Sequence, residues 1–149
     1  MNLDKKWLAG FLDGEGSFGV SRKTVTRNGF TWELFQPFVV LSQSGEKNLW
    51  ILEELKKAFG EGIYDYRRSN WSPKWKPAWK WQISNSRAVK FAEWIKDDLL
   101  VKKQQAEVLS KFPVGKAGIK RSEEIFNGQK ETYKKLKILN QRGTATAEA

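Results

Sequence analysis

The chain has 149 residues, the size of one domain, and is long enough to bury its own core. Its 27 Lys and Arg against 17 Asp and Glu give a net charge of +10, a balance that favours a polyanionic partner. Cys and His are both absent, which excludes disulfides, thiolate sites, histidine general bases, Ser-His-Asp triads and imidazole metal ligands together. Chemistry is left to carboxylates, Lys, Arg, Tyr, hydroxyls or a metal held by oxygen ligands, which suit Mg2+, Ca2+ or Mn2+. No apolar run reaches the roughly 18 residues of a membrane span. The first segment is charged and amphipathic, unlike a signal peptide, so the expected place of work is inside a cell or organelle.

In chain order, Leu3 to Asp13 reads as a helix with Asn2 or Asp4 at its start. Gly16 to Arg27 alternates as a strand, Asn28-Gly29 is a hairpin turn signal, and Phe30 to Gln43 is the return strand. Pro37 inside that strand predicts an edge position or a bulge. Glu46 to Phe59 reads as a helix ended by Gly60 and Gly62. Ile63 to Arg68 and Trp75 to Ser84 form a second hairpin around a basic, aromatic loop. Helices follow over Ser86 to Asp97, Leu99 to Phe112 and Ser122 to Asn140, the last capped by Ser122. The expected fold is α+β: residues 1–142 as a single domain with two antiparallel hairpins, and 143–149 as a flexible tail.

The strand patterns predict a two-faced sheet. Trp79, Trp81 and Ile83 share one face, and Lys76, Ala78, Lys80 and Gln82 the other. In the first strand Ser21, Lys23 and Arg27 share a polar face. Arg67 and Arg68 are adjacent, so one of them joins the exposed side in either register. Trp32 to Leu41 is apolar on both sides, and its pattern assigns neither. An antiparallel sheet with helices on one side leaves Ser21, Lys23, Arg27, Gln36, Arg67, Lys76, Lys80 and Gln82 to the other, residue types that read base edges and grip phosphates. The same set is equally an ordinary solvated face; the net charge tips the balance towards a duplex.

Residues 7 to 16, WLAGFLDGEG, place two acids and three glycines at the end of an apolar helix. Gly10 and Gly14 share a helix face, and small residues so spaced let a second helix approach closely. Carboxylates brought together at such a crossing repel unless a divalent cation lies between them. The plainer alternative makes Glu15 a solvated turn residue and Gly14 and Gly16 capping glycines.

The stretch Leu8 to Gly16, LAGFLDGEG, resembles the LAGLIDADG motif of homing endonucleases, fitting seven of its nine positions directly or conservatively. The order of elements is similar to that family's from about Leu3 to Phe112, and more loosely to Asn140. The resemblance implies a helix-hairpin-helix-hairpin-helix core with a saddle-shaped sheet along the DNA major groove. With one motif per chain it implies a homodimer joined through the motif helices, at Leu8, Gly10, Phe11 and Gly14, acting on a near-palindromic duplex. It further implies Mg2+-dependent double-strand cleavage in the service of intron homing, with Ca2+ supporting binding without cleavage. The family's metal-binding acid falls on Glu15, with the Gly14 carbonyl as a second ligand, while Asp13 is structural. The active-site glutamine matches Gln43, a following basic residue Lys47, and the active-site lysine Lys102, with Lys103 its rival. An RNA maturase assisting splicing, or a DNA-binding regulator that has lost catalysis, uses the same scaffold. The expected location is an organelle (mitochondrion or chloroplast) or a prokaryotic cytoplasm.

Overall fold

Asp4 opens the first helix: its carboxylate accepts a hydrogen bond from the Trp7 amide at 3.0 Å and caps α1, Lys5–Glu15. In the computed structural model the described residues are 3–60, 63–65, 74, 78–116 and 119–141. Helix α1 buries Leu8, Ala9 and Leu12. It then passes straight into strand β1, Gly16–Arg27, with no intervening loop. Glycine is needed at that junction, because a Cβ on Gly16 would lie 2.7 Å from the Leu12 side chain and 3.0 Å from its carbonyl oxygen.

Asn28 and Gly29 both take positive φ, 52° and 78°, which is the backbone of a tight hairpin turn. That turn sets the register of β1 against β2, Phe30–Ser44, in an unbroken ladder from Arg27↔Phe30 to Gly16↔Leu41. Strands β3, Ile63–Asp65, and β4, Ala78–Ser84, complete an antiparallel four-stranded sheet ordered β1-β2-β4-β3. Pro37 therefore lies in an interior strand and in no bulge. Its tolerance is local: the β2–β4 ladder begins one residue later, at Phe38↔Ser84, so no β4 carbonyl lacks a donor there.

The helices pack on one face of this sheet. A 3-10 turn, Glu46–Asn48, leads into α2, Leu49–Phe59; β4 is followed by α3, Asn85–Ile95, a 3-10 turn Lys96–Asp98, α4, Lys103–Ser110, and α5, Glu123–Leu139. The core joins Leu8 and Leu12 of α1 to Phe18, Val39, Leu41, Trp81 and Ile83 of the sheet and to Leu52, Leu55, Phe91, Ile95 and Leu109 of the helices. Ser122 caps α5 as its sequence predicts, accepting from the Ile125 amide at 3.2 Å. Arg121 ties the approach to α5 to the part of β2 that β4 leaves unpaired, donating to the Glu33 carbonyl at 2.9 Å.

The α+β class and both hairpins are as the sequence predicts. The helix expected from Leu99 begins instead at Lys103. In the segment before it, the amides of Leu100, Val101 and Lys102 donate to the Asp13 carboxylate at 2.9, 3.0 and 2.9 Å. The two sides of β2 also become distinct: Phe35, Pro37, Val39, Leu41 and Gln43 are buried towards the helices, while Gln36, Phe38, Val40 and Ser42 face outward. The predicted extensions of β3 to Arg68 and of β4 back to Trp75, and the tail, lie outside the described residues.

Candidate active site and nucleic-acid interface

Two acids in α1 have opposite environments. Asp13 spends its carboxylate on the three amides of residues 100–102, which fixes that segment against the end of α1. Glu15, the last residue of the helix, is exposed. The fixed segment delivers Lys102, whose ammonium donates to the Leu12 carbonyl at 3.2 Å and also to the Gly16 carbonyl. Lys102 thus straddles Glu15 along the backbone, and its charge sits at the negative end of the α1 dipole. Lys103 is exposed at the start of α4, so the lysine built into this corner is Lys102.

Gln43 reaches the same end of the sheet by another route. Gly16 pairs with Leu41, so the residue after Glu15 lies two positions from Gln43 across the ladder. The Gln43 side chain is almost fully buried. Its Nε2 donates to the Ser42 carbonyl at 2.7 Å, and its Oε1 accepts from Asn48 Nδ2 at 2.9 Å. Lys47, in the 3-10 turn before α2, is exposed beside this pair in the chain. Among the described residues no three acids gather into a metal-binding cluster. What this corner offers a hard cation is the exposed Glu15 carboxylate and the Gly14 carbonyl in the last turn of α1.

The open side of α1 carries Trp7, Gly10, Phe11 and Gly14, spaced as one helix face. A Cβ on Gly10 or on Gly14 would meet nothing within 4 Å. Trp7 stacks on Phe11 with ring centroids 5.2 Å apart, and Trp50 of α2 lies 6.4 Å from Trp7. Both tryptophans remain about half exposed, at 44% and 50%. Leu8 does not belong to this face, contrary to the reading from the motif. It is completely buried in the chain's own core, because it lies on the side of α1 that meets the sheet. Trp7 and Trp50 take its place on the open side, and the sequence marked neither.

The outward face of the sheet carries most of the predicted nucleic-acid contacts. Lys23 and Arg27 of β1 are exposed; Ser21, Gln36, Lys80 and Gln82 are half-buried. Ser21 faces Gln36 across the β1–β2 ladder and donates to its carbonyl at 3.4 Å. Lys80 faces Ser42, and Gln82 faces Val40. Arg67, Arg68 and Lys76 lie outside the described residues. The face is more apolar than the polar residues alone suggest: Phe30, Trp32 and Leu34, opposite Arg27, Val25 and Lys23, are 74%, 37% and 42% exposed.

Residues 8–106 match the LAGLIDADG endonuclease family. The chain belongs to that family. Solved structures agree with it in fold. The homing endonuclease I-CvuI in complex with its target, in the presence of Ca, superposes with a TM-score of 0.63 at 17% identity, over 95% of this chain and 83% of that one. I-CvuI has also been solved with the I-CreI target in the presence of Mg, with the DNA not cleaved, at a TM-score of 0.65 and 18% identity, over 95% of this chain and 83% of that one. The DNA-bound LAGLIDADG homing endonuclease I-GzeII matches with a TM-score of 0.61 at 15% identity over 99% of this chain, but only 48% of its own. No curated protein matches the sequence closely enough to count as a relative. I-CvuI and I-GzeII were both solved in complex with DNA. Among the described residues no helix is long and apolar enough to cross a membrane.

Proposed function

We propose that the protein is a site-specific DNA homing endonuclease that works as a homodimer on a long, near-palindromic duplex, making a metal-dependent double-strand break that serves intron homing. The observation that carries this reading is the unfilled face of α1, with Gly10 and Gly14 free of neighbours and Glu15 exposed at its end. Two such helices crossing at the glycines would bring two Glu15 carboxylates together. Trp7, Phe11 and Trp50 would flank the crossing. A C2 pair built this way presents two equivalent sheet faces, and so reads two half-sites related by the same dyad.

The donor set fits Mg2+: a carboxylate from Glu15 and the Gly14 carbonyl, both hard oxygens. Such an ion supplies charge neutralisation at the scissile phosphate and a water acidic enough to attack near neutral pH. Lys102 adds a fixed positive charge beside Glu15 for the charge that builds on the phosphate. Gln43 orients the attacking water through its amide. Lys23, Arg27, Lys47, Arg67, Arg68, Lys76 and Lys80 meet phosphates or guanine edges, and Ser21, Gln36 and Gln82 add amide and hydroxyl contacts to bases. Ca2+, with its looser coordination, is expected to support binding without turnover.

The test is Glu15→Gln, assayed on duplexes recovered by selecting cleaved sequences from a randomised library. Cleavage should fall by about 1,000-fold or more, since several kcal/mol of transition-state stabilisation depend on the ion. Binding in Ca2+ should persist at reduced affinity. Undiminished cleavage by the Gln variant would sink the assignment.

A further inference from the structure

Asn48 occupies the N-cap position of α2, where an Asn side chain ordinarily accepts from an amide of the first helical turn. Here it makes no capping hydrogen bond. The 3-10 turn Glu46–Asn48 runs into α2 and already engages the Leu49 amide with the Glu46 carbonyl. The Asn48 amide turns instead to Gln43 and donates to its Oε1 at 2.9 Å.

This contact has a determined polarity. Gln43 is bonded at its other end to the Ser42 carbonyl, at 2.7 Å, and a carbonyl only accepts. The group facing Ser42 must therefore be the Gln43 NH2, which leaves the Gln43 oxygen facing Asn48. Asn48 must in turn present its NH2. The Ser42 carbonyl thus fixes which group faces which, and the Asn48 NH2 holds the Gln43 oxygen at the other end. Reversing the Gln43 amide would set oxygen against oxygen at Ser42 and NH2 against NH2 at Asn48. What remains for a ligand is one N–H and one lone pair of Gln43, in a single orientation.

We infer that Asn48 is a positioning residue that locks the side-chain amide of Gln43 in one orientation, so that the same donor and acceptor always meet the water or phosphate at the cleavage site. The inference rests on the role proposed above for Gln43. Because the lock exists in the free protein, its cost is met on folding and not at each encounter with DNA.

Asn48→Asp isolates the effect. Asp is as good an N-cap as Asn, so α2 keeps its start, but the carboxylate has no donor for Gln43 Oε1. Single-turnover cleavage of the selected duplex should slow by up to about 100-fold, with binding in Ca2+ within about threefold of the parent. In a Gln43→Ala background the same Asn48→Asp change should cost less than about twofold, since Asn48 acts through Gln43. In the free protein, the side-chain amide NMR signals of Gln43 should shift in Asn48→Asp. An equal loss in both backgrounds, or Gln43 signals that do not move, would overturn the inference while leaving the nuclease reading intact. Cleavage by the parent that is unaffected by Gln43→Ala would overturn the role of Gln43 and this inference with it.

Discussion

The two ends of the β1–β2 ladder treat their polar side chains differently. At the Gly16↔Leu41 end, Asp13 takes three amides, Lys102 takes two carbonyls, and Gln43 is held between Ser42 and Asn48. At the Arg27↔Phe30 end, Lys23, Arg27, Phe30, Trp32 and Leu34 stand exposed, and the side-chain contact between the strands is one Thr26–Thr31 hydrogen bond at 3.0 Å. The contrast fits the two tasks proposed for these ends. A reacting centre gains from groups already fixed where charge will develop. Reading a groove needs reach, and long side chains ordered only by the duplex supply it, at the expense of entropy on binding.

That contrast can be broken at several points. The largest effect after Glu15→Gln is expected from Gly10→Leu. Among the described residues nothing lies within 4 Å of a Cβ at this position, so the protomer should keep its melting temperature within a few degrees. The crossing of two α1 helices would be blocked, and cleavage should be lost together with the dimer in analytical ultracentrifugation. A stable dimer in Gly10→Leu would place the interface elsewhere. Lys102→Met comes next. It keeps the stem and removes the charge, and should slow single-turnover cleavage by about 10- to 1,000-fold with little change in DNA affinity. An equal loss in affinity would make Lys102 a binding residue.

Asp13→Ala should act first on stability. Three amides lose a charged acceptor, a loss of about 2–3 kcal/mol after solvent takes over part of the role. For a chain of this size that lowers the melting temperature by about 5–10 °C, measurable by calorimetry. Cleavage should fall as well, because the segment carrying Lys102 is no longer held. The smallest effects belong to the sheet face. Lys80→Ala should relax preference at a particular base pair by about 1–3 kcal/mol if it reads a base. A uniform weakening with a salt slope reduced by about one charge would make it a phosphate contact.

The sequence made local features legible to different depths. Asn28-Gly29 specified the hairpin and therefore the whole β1–β2 register, because a turn with two positive φ angles admits few other residues. Ser122 marked its helix start for the same local reason. The motif glycines and acids pointed to the end of the sheet where Gly16 pairs with Leu41, the end at which Glu15, Gln43 and Lys102 lie. Leu8 was misplaced because Trp7, Phe11, Leu8 and Leu12 form one continuous apolar arc of about 140°, of which the sheet covers only the Leu8 and Leu12 side. Only packing against the sheet rotated Leu8 inward and Trp7 outward. The outward placement of Trp32 and Leu34 had the same origin, since an apolar strand does not announce its faces.

What the sequence by itself determined is whatever depends on neighbours in the chain: helix and strand periods, turn and cap chemistry, the absence of Cys and His, the surplus of positive charge, and the motif. What the tertiary structure decided are contacts between residues far apart. Asp13 holds the segment just before α4, nearly 90 positions later in the chain, through the amides of Leu100, Val101 and Lys102. Asn48 gives up a cap to hold Gln43. A carboxylate or an amide bonds to whichever partner the fold brings within about 3 Å, and that choice is made by packing, after the local signals have been spent.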